Sequence, residues 1–190
     1  GAAWPRFADA DFDQLRQPVD FLGVNYYSRQ VVRHDPTDWP LQAARVRQPQ
    51  RTYTGLNWEV YPQGLSDILE WVASRYGALP LYVTENGSAF YDPPQVEDEP
   101  NDVLRLSYLR EHLRAVRAAM QKGVDLRGYF AWSLLDNFEW AYGYSPRFGL
   151  VHVNYATQQR TFKASARFYA NVIRSRGAAL ASDQTLGSAR

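Results

Sequence analysis

The sequence of 190 residues contains no cysteine and only three histidines. The absence of cysteine excludes disulfide bonds, thiolate metal sites and cysteine nucleophiles. His34, His112 and His152 lie far apart in the sequence and show no ligand spacing, so a structural zinc site is not expected.

Other classes of function are also disfavoured by features that the sequence lacks. No segment approaches the ~20 apolar residues of a membrane span, and the first residues do not resemble a signal peptide. A net charge of +1 gives no general attraction to nucleic acid or to an anionic membrane. Neither a Gly-x-Gly-x-x-Gly nor a Walker pattern suggests nucleotide binding. A cytoplasmic location is the default expectation, although the true amino terminus can lie outside this sequence.

What is present is a globular composition, 45% hydrophobic, in which strand-like and helix-like segments alternate. β-Branched and aromatic runs predict strands, and apolar residues at spacings of three and four predict helices. In chain order these are a strand at Val19–Tyr27, a helix at Gly64–Tyr76, a strand at Leu81–Glu85, a helix from Asn101 or Asp102 to Gly123, a strand at Gly128–Ser133 and a helix at Lys163–Arg176. This order predicts an α/β fold in which helices connect parallel strands.

Other regions give less definite predictions. Residues 28–63 show no clear periodicity, which favours a long functional or mobile loop. The apolar stripes of the second and third helices place Met120 and Ile173 toward the core. We expect residues 1–177 to form one unit and residues 178–190, which are small and polar, to form a flexible tail.

Polar or aromatic side chains end each of the three predicted strands. Asn25 and Tyr27 end the first strand, Glu85 ends the second, and Trp132 ends the third, with Glu139 shortly beyond it. In barrels of parallel strands, the catalytic residues lie at this end. A pocket with such side chains suits a sugar, because pyranose rings offer flat C–H faces to aromatic rings and hydroxyls to carboxylates.

Glu85 is the predicted attacking group of a glycoside-cleaving site. Such sites use a pair of carboxylates, ~5 Å apart when one of them attacks the sugar directly. The hydroxyl of Tyr27 could donate to Glu85, and the alternation of side chains along a strand favours Tyr27 over Tyr26 unless a bulge intervenes. The alternative for Glu85 is a buried structural carboxylate paired with an arginine.

Four segments together resemble glycoside hydrolase family 1, the β-glucosidase family, and specifically its carboxyl-terminal part. They are Asp-Phe-Leu-Gly-Val-Asn-Tyr-Tyr at 20–27, Trp-Glu-Val-Tyr-Pro-Gln-Gly-Leu at 58–65, Thr-Glu-Asn-Gly at 84–87, and the run from Gly128 to Leu150. Thr-Glu-Asn-Gly alone would be weak, but the four segments in this order are specific. The resemblance covers the chain from about Phe7 to about Arg176.

The resemblance implies strands six, seven and eight of a (β/α)8 barrel that acts with retention on β-linked glycosides. Three β/α units are too few for a barrel, which needs eight. The resemblance implies no metal and no organic cofactor, and it implies a β-glucoside or another β-glycoside as the substrate.

The resemblance also implies a role for each matching site residue. Glu85 would be the nucleophile, Tyr27 would orient it, and Asn25 would line the same subsite. Trp132 would be the platform under the sugar, and its peptide bond to Ser133 would be cis. The hydroxyls of the sugar would be bound by Glu139 and Trp140, and Phe148 would lie at the pocket rim.

Each of these last residues also has a structural interpretation. Trp132 and Trp140 could be core aromatics, Glu139 could cap a helix, and Phe148 could serve packing alone.

One departure from the family pattern matters most. The family's acid/base glutamate lies in an Asn-Glu-Pro motif on the fourth strand, and this sequence contains no Asn-Glu-Pro. Full activity is therefore expected to need the amino-terminal portion of the barrel, from the same parent protein or from a separate chain. Two alternatives remain open. One is a sugar-binding fragment without turnover, and the other is a structural half-barrel that pairs with its complement or with itself through open strand edges.

Overall fold

The computed structural model describes residues 5–96 and 98–181 of the chain. Four α-helices and seven β-strands are formed within these residues. In chain order they are α1 (Asp9–Leu15), β1 (Leu22–Asn25), β2 (Val32–His34), β3 (Ala43–Arg45), α2 (Pro62–Tyr76), β4 (Leu81–Asn86), α3 (Val103–Gln121), β5 (Leu126–Ala131), β6 (Val151–Val153), β7 (Arg160–Phe162) and α4 (Ala164–Arg174).

The centre of the fold is a parallel sheet with the strand order β1-β4-β5. Helices α2 and α3 pack on one face of this sheet, and α4 packs on α3. The core between sheet and helices consists of buried aliphatic side chains, namely Leu65, Leu69, Val72, Leu81, Val83, Val116, Ala119, Val124 and Leu126. The predicted α/β fold of three strand–helix units is thereby confirmed.

The pairing register shifts at the carboxyl end of β4, and this shift decides where its polar side chains lie. Leu81 and Val83 are fully buried against the helices. Strict alternation would place Glu85 on that same face. Instead the register slips between Val24 and Asn25 and again between Val83 and Asn86, so Asn86 occupies the helix side. Such a slip places an extra residue in one of the two paired strands, a β-bulge, and the side chains after it point to the opposite face.

The opposite face of the sheet carries large aromatic side chains that remain exposed. Phe21 is 53% exposed and Phe130 is 57% exposed. The ring of Phe21 contacts Tyr82 edge-on, with the ring centroids 5.0 Å apart. This face of the sheet therefore presents an apolar surface to solvent.

Two short antiparallel hairpins were not predicted from the sequence. β2 pairs with β3 inside the segment 28–63, which was expected to be a loop, and β6 pairs with β7 after the last motif. Each strand has only three residues. So short a segment shows too few alternations to be distinguished from a loop.

Both predicted core positions near helix ends were wrong. Met120 is 49% exposed and Ile173 is 59% exposed, whereas the preceding residues Ala119 and Val172 are buried, so these two side chains lie on the solvent side of the last helical turn. Asp102 does occupy the position before α3, but its carboxylate does not cap that helix. It binds Arg105 at 2.6 Å and the hydroxyl of Ser165 at 2.5 Å instead.

Ordered structure continues past the predicted end of the unit at residue 177. Residues Ala178–Leu180 form a 3-10 turn, and Leu180 is buried against α3 and α4. Residues 182–190 of the predicted tail lie outside the described residues.

A buried ionic network joins the loop after β4 to the segment after β5. Its three cations and three anions are Arg105, Arg147, Lys163, Asp92, Asp102 and Asp136. The fully buried Lys163 ammonium lies 2.6 Å from Asp92 and 2.9 Å from Asp136. Burial alone would raise the pKa of Asp136, but Lys163 and Arg147 hold it below its usual value. The charges balance, which is the condition under which buried ions are tolerated.

A buried histidine on α3 makes the stability of the fold depend on pH. The His112 ring is fully buried and stacks on Tyr108, and its Nδ1 donates to the Tyr108 carbonyl at 2.8 Å. Within the described residues its Nε2 has no hydrogen-bond partner, so a proton there would be buried without an acceptor. Burial therefore lowers the pKa of His112 from 6.5 to about 4.

Between pH 6.5 and 4 the unfolded chain binds this proton and the folded chain does not, so stability falls as the pH falls. We expect His112 to lower the free energy of unfolding by about 3 kcal/mol as the pH falls across this window. Urea unfolding at several pH values should show that His112→Gln loses less of its free energy of unfolding on acidification than the wild type does. The exposed His34 provides the control, and a His34→Gln variant should keep the slope of the wild type. An unchanged slope in His112→Gln would contradict the assignment.

Candidate active site

Glu85 lies at the carboxyl end of β4 and is held by a tyrosine hydroxyl. The Tyr27 hydroxyl donates to Glu85 Oε2 at 2.7 Å. Burial and the negative charge of Glu85 raise the pKa of Tyr27 far above its ordinary value, so the phenol keeps its proton and remains a donor. Within the described residues no lysine or arginine forms an ion pair with Glu85, which disfavours the alternative of a structural carboxylate.

The two adjacent tyrosines after β1 point to different partners, as the alternation along the strand predicted. The Tyr26 hydroxyl donates to the carbonyl of Tyr61 at 2.6 Å, and its ring packs against the helix-side core. Asn25 lies on the side of Tyr27, where its Oδ1 accepts from the hydroxyl of Thr84 at 2.7 Å. Asn25 is exposed, and its side-chain NH2 is available for a ligand.

The side chain of Asn86, directly after Glu85, connects three elements behind the site. It is fully buried, and its Nδ2 donates to the Tyr26 carbonyl at 2.7 Å and to the Tyr108 hydroxyl at 3.0 Å. Its Oδ1 accepts from the Tyr129 hydroxyl at 2.6 Å. Tyr108 in turn donates to the Tyr27 carbonyl at 2.9 Å. The backbone that carries Tyr27 and Glu85 is thus fixed from the helix side.

Sequence reasoning used Asn86 only as part of the Thr-Glu-Asn-Gly segment and missed this role. A polar residue that follows a buried strand next to a functional carboxylate is a signal that could have found it, since a buried amide needs several partners. Its partners Tyr108 and Tyr129 lie on distant segments, so sequence spacing could not identify them.

Trp132 is attached to the same strand end through the backbone. Its N–H donates to the Asn86 carbonyl at 2.9 Å, and its peptide bond to Ser133 is cis, as the resemblance implied. The side chain is 37% exposed, so it is not a fully buried core aromatic. Gly87 is required beside it, because a Cβ there would lie 1.8 Å from the Trp132 carbonyl oxygen.

Glu139 lies on the loop after β5, close enough to Glu85 for the two charges to interact. Burial and the negative charge of Glu85 raise the pKa of Glu139. Its backbone N–H donates to Gly143 at 2.7 Å, and a 3-10 turn at Trp140–Tyr142 follows. The Glu139 side chain does not cap this turn, and Trp140 is 83% exposed, so neither residue has the structural role considered as an alternative.

Phe148 is buried behind Tyr27, and its position at the pocket rim stays a prediction. Only 3% of it is exposed, and its ring lies 6.0 Å from that of Tyr27 and 6.1 Å from that of Trp58. It supports Tyr27 from behind. Its burial follows from Leu56 and Ala89, which close over it and belong to loops that sequence periodicity did not resolve.

The ends of the loop that holds Glu139 are tied by the buried ionic network. Asp136, before Glu139, accepts from Arg147 at 2.7 Å and from the Gly149 N–H at 2.9 Å. Residues 136 and 147 are therefore the two fixed points of this loop. Within the described ranges no cluster of three or more His, Cys, Asp or Glu is placed to hold a metal ion, and no helix is long and apolar enough to cross a membrane.

Residues 2–178 match the model of Glycosyl hydrolase family 1. The chain is 45% identical over 175 residues to a 1,4-beta-D-glucan glucohydrolase of Thermotoga neapolitana and 43% identical over 167 residues to Beta-glucosidase A of Thermotoga maritima. These alignments cover 91% and 88% of this chain but only 38% and 37% of the two relatives.

Solved structures give the same result. A family 1 β-glucosidase from Thermotoga maritima superposes with a TM-score of 0.84 at 43% identity, over 88% of this chain and 38% of that one. The same type of enzyme in complex with deoxynojirimycin gives a TM-score of 0.83 at 42% identity. The fold described here therefore corresponds to a part of a (β/α)8 barrel, about 38% of its length.

An Asn86→Asp variant tests whether the Asn86 amide holds the site together. The substitution keeps the shape but places an oxygen against the Tyr26 carbonyl, so we expect a loss of about 2–4 kcal/mol in the free energy of unfolding at neutral pH. Protonation of the new carboxyl restores a donor, so the deficit should shrink as the pH is lowered. Asn171→Asp on the exposed side of α4 is the matched control. Equal stability of the two variants in urea unfolding would refute this role.

Proposed function

Because this chain belongs to glycosyl hydrolase family 1, we propose that it supplies the nucleophile side of a retaining β-glucosidase. The observation that supports this best is the Glu85 carboxylate, which lies at a strand end with one oxygen held by Tyr27. The sugar-like inhibitors bound in the solved relatives favour a β-glycoside as the substrate. The proposed reaction requires no metal or organic cofactor, and the cytoplasmic location remains a prediction.

The two oxygens of Glu85 have different tasks in this proposal. Oε2 accepts the hydrogen bond from Tyr27, and within the described residues Oε1 has no hydrogen-bond partner. Oε1 forms a bond to the anomeric carbon while the bond from that carbon to the glycosidic oxygen breaks. The electron pair leaves with the glycosidic oxygen, which takes a proton from a general acid. Water then hydrolyses the glycosyl-enzyme and regenerates the carboxylate.

The sugar is held by the groups that surround Glu85. The indole of Trp132 offers a face for the C–H groups of the pyranose ring. Glu139, Asn25 and Trp140 bind hydroxyls. The raised pKa of Glu139 is consistent with a carboxylate close to Glu85, whose hydrogen bonds to hydroxyl groups would compensate for the mutual repulsion.

The general acid and the remaining barrel strands are proposed to come from an amino-terminal portion. The sequence has no Asn-Glu-Pro motif, and the chain spans about 38% of the length of the relatives it matches. The exposed aromatic face of the sheet, with Phe21 and Phe130, is the surface that such a portion would cover. That portion would belong to the same parent protein or to a separate chain.

Covalent labelling tests this function without requiring the general acid. An activated 2-deoxy-2-fluoro-β-glucoside loses dinitrophenolate, which leaves without protonation, so Glu85 alone can form the glycosyl-enzyme. We expect the intact mass of the chain to increase by one fluoroglucosyl group, with the label on the peptide that contains Glu85. Glu85→Gln should remain unlabelled, whereas Glu111→Gln, a remote glutamate on α3, should label like the wild type.

A label on another residue, or a label that persists in Glu85→Gln, would contradict the nucleophile assignment. Quenching of tryptophan fluorescence by a β-glucoside without any label would instead favour the sugar-binding alternative. Light scattering on the same sample addresses the half-barrel alternative. A defined dimer that neither labels nor binds the glucoside would support that alternative.

A further inference from the structure

A surface pocket lies next to Tyr27, on the side away from the helices, and the site described above does not use it. The segments that enter and leave the β2–β3 hairpin, residues 28–31 and 45–47, form one wall, and the segment that precedes α2 forms the other. The pocket contains two further aromatic residues, Tyr53 and Trp58. The rings of Trp58 and Tyr27 are 5.4 Å apart, so the pocket begins one aromatic ring away from Glu85.

The frame of this pocket is fixed by the backbone. Ser28 Oγ donates to the Glu59 carbonyl at 2.9 Å, which joins the segment after β1 to the turn before α2. The N–H of Val46 donates to the Val31 carbonyl at 2.8 Å and extends the pairing of the hairpin. The pocket is therefore a preformed cleft between two anchored segments.

Its charge is positive and only partly compensated. Of the three arginines that line it, Arg29 is neutralised by two hydrogen bonds of 3.0 Å to the buried carboxylate of Glu59. Arg47 stacks 3.8 Å over the Tyr53 ring and bonds to a neutral amide, and among the described residues no carboxylate pairs with it. In the described part of the chain Arg45 has no hydrogen-bond or ion-pair partner.

We propose that this pocket receives the aglycone of the glycoside and favours an aromatic aglycone that carries a carboxylate. This inference rests on the proposed function, because a sugar bound at Glu85 would direct the group linked to it toward the neighbouring cleft. Trp58 and Tyr53 supply faces for the aromatic ring. Arg45 and Arg47 supply the matching charge, and a guanidinium binds a carboxylate in a planar, bidentate geometry.

Binding of two glucosides to this chain tests the inference directly. Phenyl β-glucoside and 4-carboxyphenyl β-glucoside differ only in the carboxylate, and calorimetry or tryptophan fluorescence gives both affinities. At low salt we expect the carboxylated compound to bind about threefold to tenfold more tightly, which is the range for partly exposed ion pairs. High salt should remove this preference, because it screens exposed charges.

Arg45→Gln should reduce the preference while it keeps the affinity for phenyl β-glucoside, and Arg45→Gln with Arg47→Gln should abolish the preference. Since Arg45 has no partner in the described residues, its substitution removes no native contact. Arg33→Gln is the matched control, because Arg33 lies in the same hairpin but pairs with Ala44 and is absent from the pocket lining. Equal affinities of the wild type for the two glucosides, or an equal loss of preference in Arg33→Gln, would overturn the inference.

The outcomes separate this inference from the proposed function. If both glucosides bind equally, the carboxylate preference is wrong and the glycosidase proposal stands. If neither glucoside binds but 4-hydroxybenzoate does, and Arg45→Gln abolishes that binding, the anion pocket stands without a glycoside site. Failure of all three compounds to bind overturns the inference.

Discussion

The candidate site depends on one buried amide. Asn86 lies next to Glu85 in sequence but on the opposite face of the sheet, because successive side chains of a strand alternate. The register shift at the end of β4 turns Asn86, rather than Glu85, toward the helices. A buried amide is tolerated only when its donors and acceptor are satisfied. Asn86 meets this condition through Tyr26, Tyr108 and Tyr129, which lie on three different segments. The same contacts that satisfy the amide therefore fix the position of Glu85.

The buried ionic network supports the site from the other side. Asp136 and Arg147 close the loop that presents Glu139, and Lys163 joins Asp136 to Asp92 on the loop after β4. The removal of one member would leave an uncompensated buried charge, which is far more costly than the pair is stabilising. Trp132 is tied to the Asn86 side, because its N–H bonds to the Asn86 carbonyl and its own carbonyl leaves no room for a side chain at Gly87.

Much of this fold and site could be predicted from local patterns. Apolar residues at helical spacing and polar residues at the strand ends predicted the three β/α units. Alternation along the first strand predicted that Tyr27, and not Tyr26, contacts Glu85. What could not be predicted depends on contacts between distant segments. The network around Asn86 joins residues that are up to 60 positions apart. The burial of Phe148 depends on loops, and the hairpin strands are too short to show a period.

We propose that the Tyr27 hydroxyl orients Glu85 for attack. The rates at which an activated fluoroglucoside labels Tyr27→Phe and Tyr26→Phe test this role most directly. Because Tyr27→Phe loses a hydrogen bond to a charged group, its labelling should be about tenfold to a hundredfold slower than that of the wild type. Tyr26→Phe loses a bond to a backbone carbonyl instead, so it should label at nearly the wild-type rate when fully folded. Equal rates for the two variants, or a slower Tyr26→Phe, would contradict the account.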